Sequence, residues 1–244
     1  ALGYHASANG AGAVALGSSA DASANGGVAT GFGTHATGLY STALGYVANA
    51  SGFNAVALGT GTKALGDSST ALGPNAYSIG KGAVAVGSGA HTSGGDYTTA
   101  VGPEAFAAGL ESTATGHAAL ATNWSTAVGS GSTAGGNFSS AFGQGATVYY
   151  YDFGTAIGAG SYVGNYQATA VGASSRATGY ASSAFGHGAD ASGDHSSAMG
   201  DSAYTRSGAN FAVAIGYKSA AGSSNGGTQA FALGSNSVAS ANNS

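Results

Sequence analysis

The residues with the most chemical potential lie close together near the C-terminal third: His187, Asp190, Asp194 and His195. Imidazoles and carboxylates so spaced could ligate a metal or trade protons. The other carboxylates, Asp21, Asp67, Asp96, Glu104, Glu111, Asp152 and Asp201, are scattered. A hydrolytic pair needs two carboxyls within roughly 5–9.5 Å of each other. Gly94-Gly95-Asp96 lacks the Gly-Gly-x-Gly-x-Asp spacing of calcium-binding nonapeptides. Gly59-Thr60-Gly61 and Gly129-Ser130-Gly131 resemble phosphate loops only in composition, since no helix follows them. There is no Cys for thiolate chemistry.

A repeat decides how these groups are placed. A small residue, Thr or Val, Ala, a large apolar residue and Gly recur along the chain, as in Ser69-Thr70-Ala71-Leu72-Gly73 and Ser125-Thr126-Ala127-Val128-Gly129. Taking the large residue as the key position gives 17 copies from Leu2 to Leu233, most often 14 residues apart. Every key residue follows Ala except Phe32, which follows Gly31 and makes one short step of 12 to Leu44. Repeats of this length read as stacked structural units rather than as a catalytic site. In this frame His187 lies in a turn, Asp190 on an outward strand position, and Asp194 and His195 in the next turn. The frame therefore assigns no catalytic residue, no metal ligand and no cofactor.

Each unit reads as two short strands and two turns. The phrase is one strand, β-branched at the residue two before the key, and Gly ends it because Gly enters turn conformations without a Cβ penalty. Alternation puts the key residue and the Thr/Val on one face and the Ala on the other. The expectation is that the large face fills the coil. The uniformly small face then packs against other copies, with Ala57, Ala71, Ala127 and Ala170 as interface candidates. On that placement the Thr column is internal, which argues against an ice-ordering Thr ladder.

The second strand starts four residues after the key, as in Ala105-Phe106-Ala107. Its middle position varies freely and carries Lys63, Tyr77, His91, Phe106, Tyr162, Arg176 and Tyr204. Free variation with charges marks a solvent face, so these seven are the ligand-contact candidates. Parallel stacking of the units makes an all-β solenoid. One coil buries little apolar area, so an obligate oligomer is expected.

Composition agrees. The 244 residues include 46 Gly and only 6% charged residues, with net charge −4. Five Lys/Arg cannot form a nucleic-acid footprint. No apolar run approaches the roughly 18 residues of a membrane helix. Two Pro and no triplet period exclude collagen. The chain opens within a phrase and reads as a segment of a longer protein.

Two irregularities stand out. Four residues before the key, an aromatic column includes Tyr97, Trp124, Phe138 and Phe153, broken by Glu111. It reads either as an adhesive stripe or as corner packing beside an oligomer interface. The longer coils, at 147–153 and 201–229, are expected to carry surface loops.

The phrase, as in Asn54-Ala55-Val56-Ala57-Leu58-Gly59, followed by Ala-x-Ala-x-Gly at a 14-residue period, resembles the YadA-like head of trimeric autotransporter adhesins. The resemblance covers 1–244 as a single head segment. It implies a left-handed parallel β-roll and a homotrimer. It also implies display on a bacterial cell surface, anchored in the outer membrane through regions outside this segment. The partners it implies are extracellular matrix proteins such as collagen and fibronectin, or abiotic surfaces. The alternative is a structural spacer that holds another binding head away from the cell.

Overall fold

A computed structural model describes residues 1–222 and 229–240. The chain is an all-β parallel solenoid of about 16 turns. It divides into two compact units, Ala1–Trp124 and Ser125–Ser244. Each unit alternates a three-residue strand, such as Thr70–Leu72, with a two-residue strand, such as Tyr77–Ser78. Each strand pairs in parallel with its counterpart one coil away. In the first unit Thr70, Ala71 and Leu72 face Val56, Ala57 and Leu58 on one side and Val84, Ala85 and Val86 on the other. In the second unit Thr155, Ala156 and Ile157 pair with Thr169, Ala170 and Val171.

The interior is built from small side chains. Beyond the first coil, the middle Ala of the long strands, the second residue of the short strands and most corner residues are buried, as with Ala71, Ala64, Ala76 and Ser69. The largest fully buried side chains are two valines, Val148 and Val163. Many corner hydroxyls bond back to turn carbonyls, while Ser41 Oγ and Ser69 Oγ are buried without a partner. Thr62 Oγ1 donates to the Gly59 carbonyl at 2.8 Å, and Ser112 Oγ to that of Gly109 at 2.7 Å. Buried polar groups need such partners, or each costs about 1–3 kcal/mol.

This reverses the expected orientation of the long strand. Ala57, Ala71, Ala127 and Ala170 are fully buried within their own chain, so they cannot meet a partner copy. Leu72, Phe142 and Ile157 are instead about two-fifths exposed, at 43%, 39% and 41%. The small face does require a close neighbour, but that neighbour is the coil's own short strand. The space between two strands joined by such short turns admits a methyl group and excludes a leucine.

The register corrects a second expectation. Thr30, not Phe32, pairs with Leu16 and with Leu44. The phrase there is Val28-Ala29-Thr30-Gly31, so the step of 12 disappears and the 14-residue period holds. Gly31 has φ +130°, and a Cβ on it would lie 2.3 Å from the Gly45 carbonyl oxygen. Phe32 lies in the turn and stacks on Tyr46 at the same turn position of the next coil, with ring centroids 5.5 Å apart.

Both turns of a coil place a residue at positive φ, including Val47, Asn75 and Glu104 in one and Tyr97, Trp124 and Phe138 in the other. Turns with an i→i+3 bond and positive φ at the third residue demand this. The conformation belongs to the fold and does not mark a site. Of the longer coils, Tyr149 and Tyr150 do emerge at the surface. The Arg206–Gly208 loop returns inward, because Ala209 is fully buried. Residues 223–227, part of the other expected loop, lie outside the described residues.

Candidate functional site: two outward faces

Within each unit the outward positions of the short strands form one face. In the first unit Lys63, Tyr77, His91 and Phe106 stand in consecutive register. Lys63 Nζ lies 5.8 Å from the Tyr77 ring centroid. Tyr77 meets His91 edge-on at 4.9 Å, and His91 meets Phe106 at 5.0 Å. Burial between these rings lowers the His91 pKa from 6.5, favouring neutral imidazole. Its Nε2 is occluded and has no hydrogen-bond partner. Beside these side chains runs a groove of about 370 Å³, lined by Gly61, Lys63, Asn75, Tyr77, Gly89 and His91. In the second unit Tyr162, Arg176, Asp190 and Tyr204 are in register, with the Arg176 guanidinium 5.6 Å from the Tyr162 ring. All seven candidates thus stand at the first position of a short strand, four in the first unit and three in the second, and Lys63, Tyr77, His91 and Phe106 form one ladder.

The long strands form a second outward face, which sequence reasoning placed inside. It carries Leu16, Leu44 and Leu72 in the first unit and Phe142, Ile157, Phe185 and Met199 in the second, all well exposed. The Thr column lies on this face too, partly exposed rather than inside the coil, because it alternates with the buried Ala. Exposed leucine, phenylalanine and methionine side chains stand beside the threonines.

The aromatic column falls in the second turn of each coil. Tyr97, Trp124, Phe138 and Phe153 are each at positive φ and about half exposed. Tyr97 lies over Gly82, whose added Cβ would come within 3.0 Å of the ring. Phe138 and Phe153 stack at 5.3 Å. Further along the second unit His195 stacks on Phe211 at 5.0 Å.

The ionisable cluster disperses. His187 Nδ1 pairs with Asp201 at 3.3 Å, and Asp190 accepts from the Ser192 hydroxyl. Asp201 has a lowered pKa, chiefly through the hydrogen bond from Ser202, with His187 adding to it. Asp194 accepts from the Tyr180 backbone N–H at 2.8 Å. Among the described residues no group of three or more metal-ligating side chains converges.

The structure also explains carboxylates that the sequence left unassigned. Asp67, Asp96, Asp152 and Asp194 occupy one turn position. Each accepts the backbone N–H at the equivalent position one coil earlier, from Phe53, Lys81, Asn137 and Tyr180. Asn25, Asn123 and Asn210 do the same through their amide oxygens. These side chains clasp coil to coil. Their signal was an Asp/Asn column five residues before the key position.

A family model, YadA head domain repeat (2 copies), matches residues 1–20, 22–48, 50–76, 78–105, 93–119, 125–146, 164–189, 177–203, 191–219 and 226–244. The chain belongs to the YadA head repeat family. No curated protein matches it. Among solved structures, the crystal structure of the collagen-binding domain of Yersinia adhesin YadA is 23% identical, covers 68% of each chain and has a TM-score of 0.24. Within this YadA head repeat chain, the two outward faces differ in kind. The long-strand face is apolar or hydroxylated at every coil. The short-strand face changes chemistry from one coil to the next.

Proposed function

We propose that the chain is the head of a bacterial surface adhesin, in which the two faces have separate tasks. The long-strand face packs copies of the chain together, three in the assembly typical of the family. The variable short-strand face contacts extracellular matrix proteins such as collagen or fibronectin, other cells, or abiotic surfaces. Anchoring in the outer membrane belongs to regions outside this segment. The observation that carries this reading is the contrast between a face that is apolar or hydroxylated in every coil, without a charge, and one that differs at Lys63, Tyr77, His91 and Phe106. The first is what a self-association surface requires, and the second is what a recognition surface requires. Weak contacts repeated over three chains gain avidity without any single tight site.

The test is attachment of the purified chain to collagen, fibronectin, plastic and glass, alongside a variant with Lys63, Tyr77, His91, Phe106, Tyr162, Arg176 and Tyr204 permuted among themselves. Adhesion by this face predicts loss of attachment with unchanged sedimentation. Unchanged attachment in the permuted assembly returns the chain to the role of a spacer.

A further inference from the structure

We infer that the groove beside Lys63, Tyr77 and His91 binds an acidic sugar residue, of the uronic or sialic acid type, within a larger glycan. The inference rests on the reading of the short-strand face as the contact face. Volume is the first argument. The groove, at about 370 Å³, falls within the roughly 300–1,000 Å³ range of small-ligand sites. Its floor is open because Gly89 carries no side chain, and a Cβ built there would meet only Glu104 Cγ, at 3.8 Å. Asn75 reaches across the neighbouring Gly61, with its Oδ1 2.6 Å from where a Cβ would stand. That places an amide, donor and acceptor together, beside the open floor.

The wall supplies the second argument. Tyr77 stands in register between Lys63 and His91. Its ring is half-buried between the Lys63 ammonium, 5.8 Å from the centroid, and the edge-on His91 ring at 4.9 Å, so the part that lines the groove is matched to the C–H face of one pyranose and too small for an apolar protein anchor. His91 Nε2 lacks a partner within the chain. A sugar hydroxyl reached by a small ring rotation would supply one.

Charge decides the class. Lys63 is the one charged side chain lining the groove, and His91 beside it is held toward its neutral form. The chain as a whole carries −4. Glu104, whose Cγ lies beyond the Gly89 floor, is outside the lining and has its carboxylate 3.9 Å from His117 Nε2, so the charge that lines the groove is that of Lys63, which selects an anionic group over a neutral one.

The experiment is a titration of the whole chain, by saturation-transfer NMR, with sialyllactose, trigalacturonate and lactose. Its variants are Lys63→Asn and Tyr77→Thr. Asn49 and Thr133 already occupy the same outward position in other coils, so both replacements suit the fold. One of the two acidic sugars should bind, and which one does names the source of the glycan. It should bind roughly ten-fold more tightly than lactose at low salt, with the preference shrinking as salt screens Lys63. Lys63→Asn should remove the preference, and Tyr77→Thr should weaken binding of acidic sugar by roughly five-fold. The inference is overturned if neither acidic sugar binds below about 10 mM, if lactose binds equally well, or if neither variant changes binding. Collagen peptide competing for the same residues without any sugar binding also overturns it. Attachment of the same preparation to matrix proteins, plastic and glass separates the two readings. Attachment without sugar binding defeats the groove alone, while absence of both defeats the adhesive reading as well.

Discussion

Gly154 and Val148 occupy one volume between them. A Cβ on Gly154 would lie 2.5 Å from Val148 Cγ1 and 3.0 Å from Val163 Cγ1. At the corresponding corner of neighbouring coils stand Ser139 and Ala168, and at the position of Val148 most coils carry Ala. Two larger side chains on paired short strands of successive coils are thus compensated by a smaller residue at the corner. Gly154→Ala should overpack this layer and destabilise the chain by about 1–3 kcal/mol. Val148→Ala alone should also destabilise it, by leaving a void. The double variant should recover much of the loss, so thermal denaturation of the four proteins reads out a coupling of opposite sign to either single change.

The same thin interior separates the two faces of the long strand. Ala71→Leu places a large side chain where only a methyl fits, so it should disturb the fold itself and reduce the β circular-dichroism signal. Leu72→Asp adds charge to an exposed position, so it should leave that signal intact while weakening self-association in sedimentation. If Leu72→Asp sediments as the unaltered chain does, the long-strand face is not the assembly surface.

Much of this architecture is legible in the sequence, and the failures have physical causes. The period, the two strands per coil and the outward column at Lys63 and Tyr77 follow from alternation and from the pattern of tolerated residues. Alternation shows that Ala71 and Leu72 face opposite ways, but it does not say which is inside. The usual assumption that large apolar residues fill the core fails in a coil one methyl thick. Phe32-Gly33 imitates the phrase, whereas the true position, Thr30-Gly31, carries a polar residue. The groove depends on side chains from three coils, and only the register brings Gly61, Asn75 and Gly89 together. The clasping role of Asp67 was hidden because Asp, Asn and unrelated residues share its column.

That role has a direct test. Asp67 Oδ1 accepts the Phe53 backbone N–H at 3.0 Å across an exposed turn. Asp67→Ala should cost about 1 kcal/mol, the usual net worth of such a bond. Asp67→Asn should retain most of the stability, because Asn25, Asn123 and Asn210 make the equivalent contact with an amide oxygen. Equal melting temperatures for Asp67→Ala and the unaltered chain would remove the clasp from the list of stabilising contacts.

The imidazole of His91 gives the fold a pH dependence whose sign follows from its surroundings. Burial between Tyr77 and Phe106 lowers its pKa below the ordinary 6.5. Between its folded and unfolded values the unfolded chain binds more protons, so stability rises with pH in that interval. Stability supplied by the neutral ring is therefore complete above pH 6.5 and falls as the solution is acidified below it. His91→Phe keeps an aromatic rung, as Phe106 does one coil later, and removes the titrating group. The variant should match the unaltered chain's pH dependence above 6.5 and lose less stability below it. Denaturant melts from pH 7.5 down to about pH 5 measure the difference, and parallel curves over that range would show that His91 titrates as it does in water.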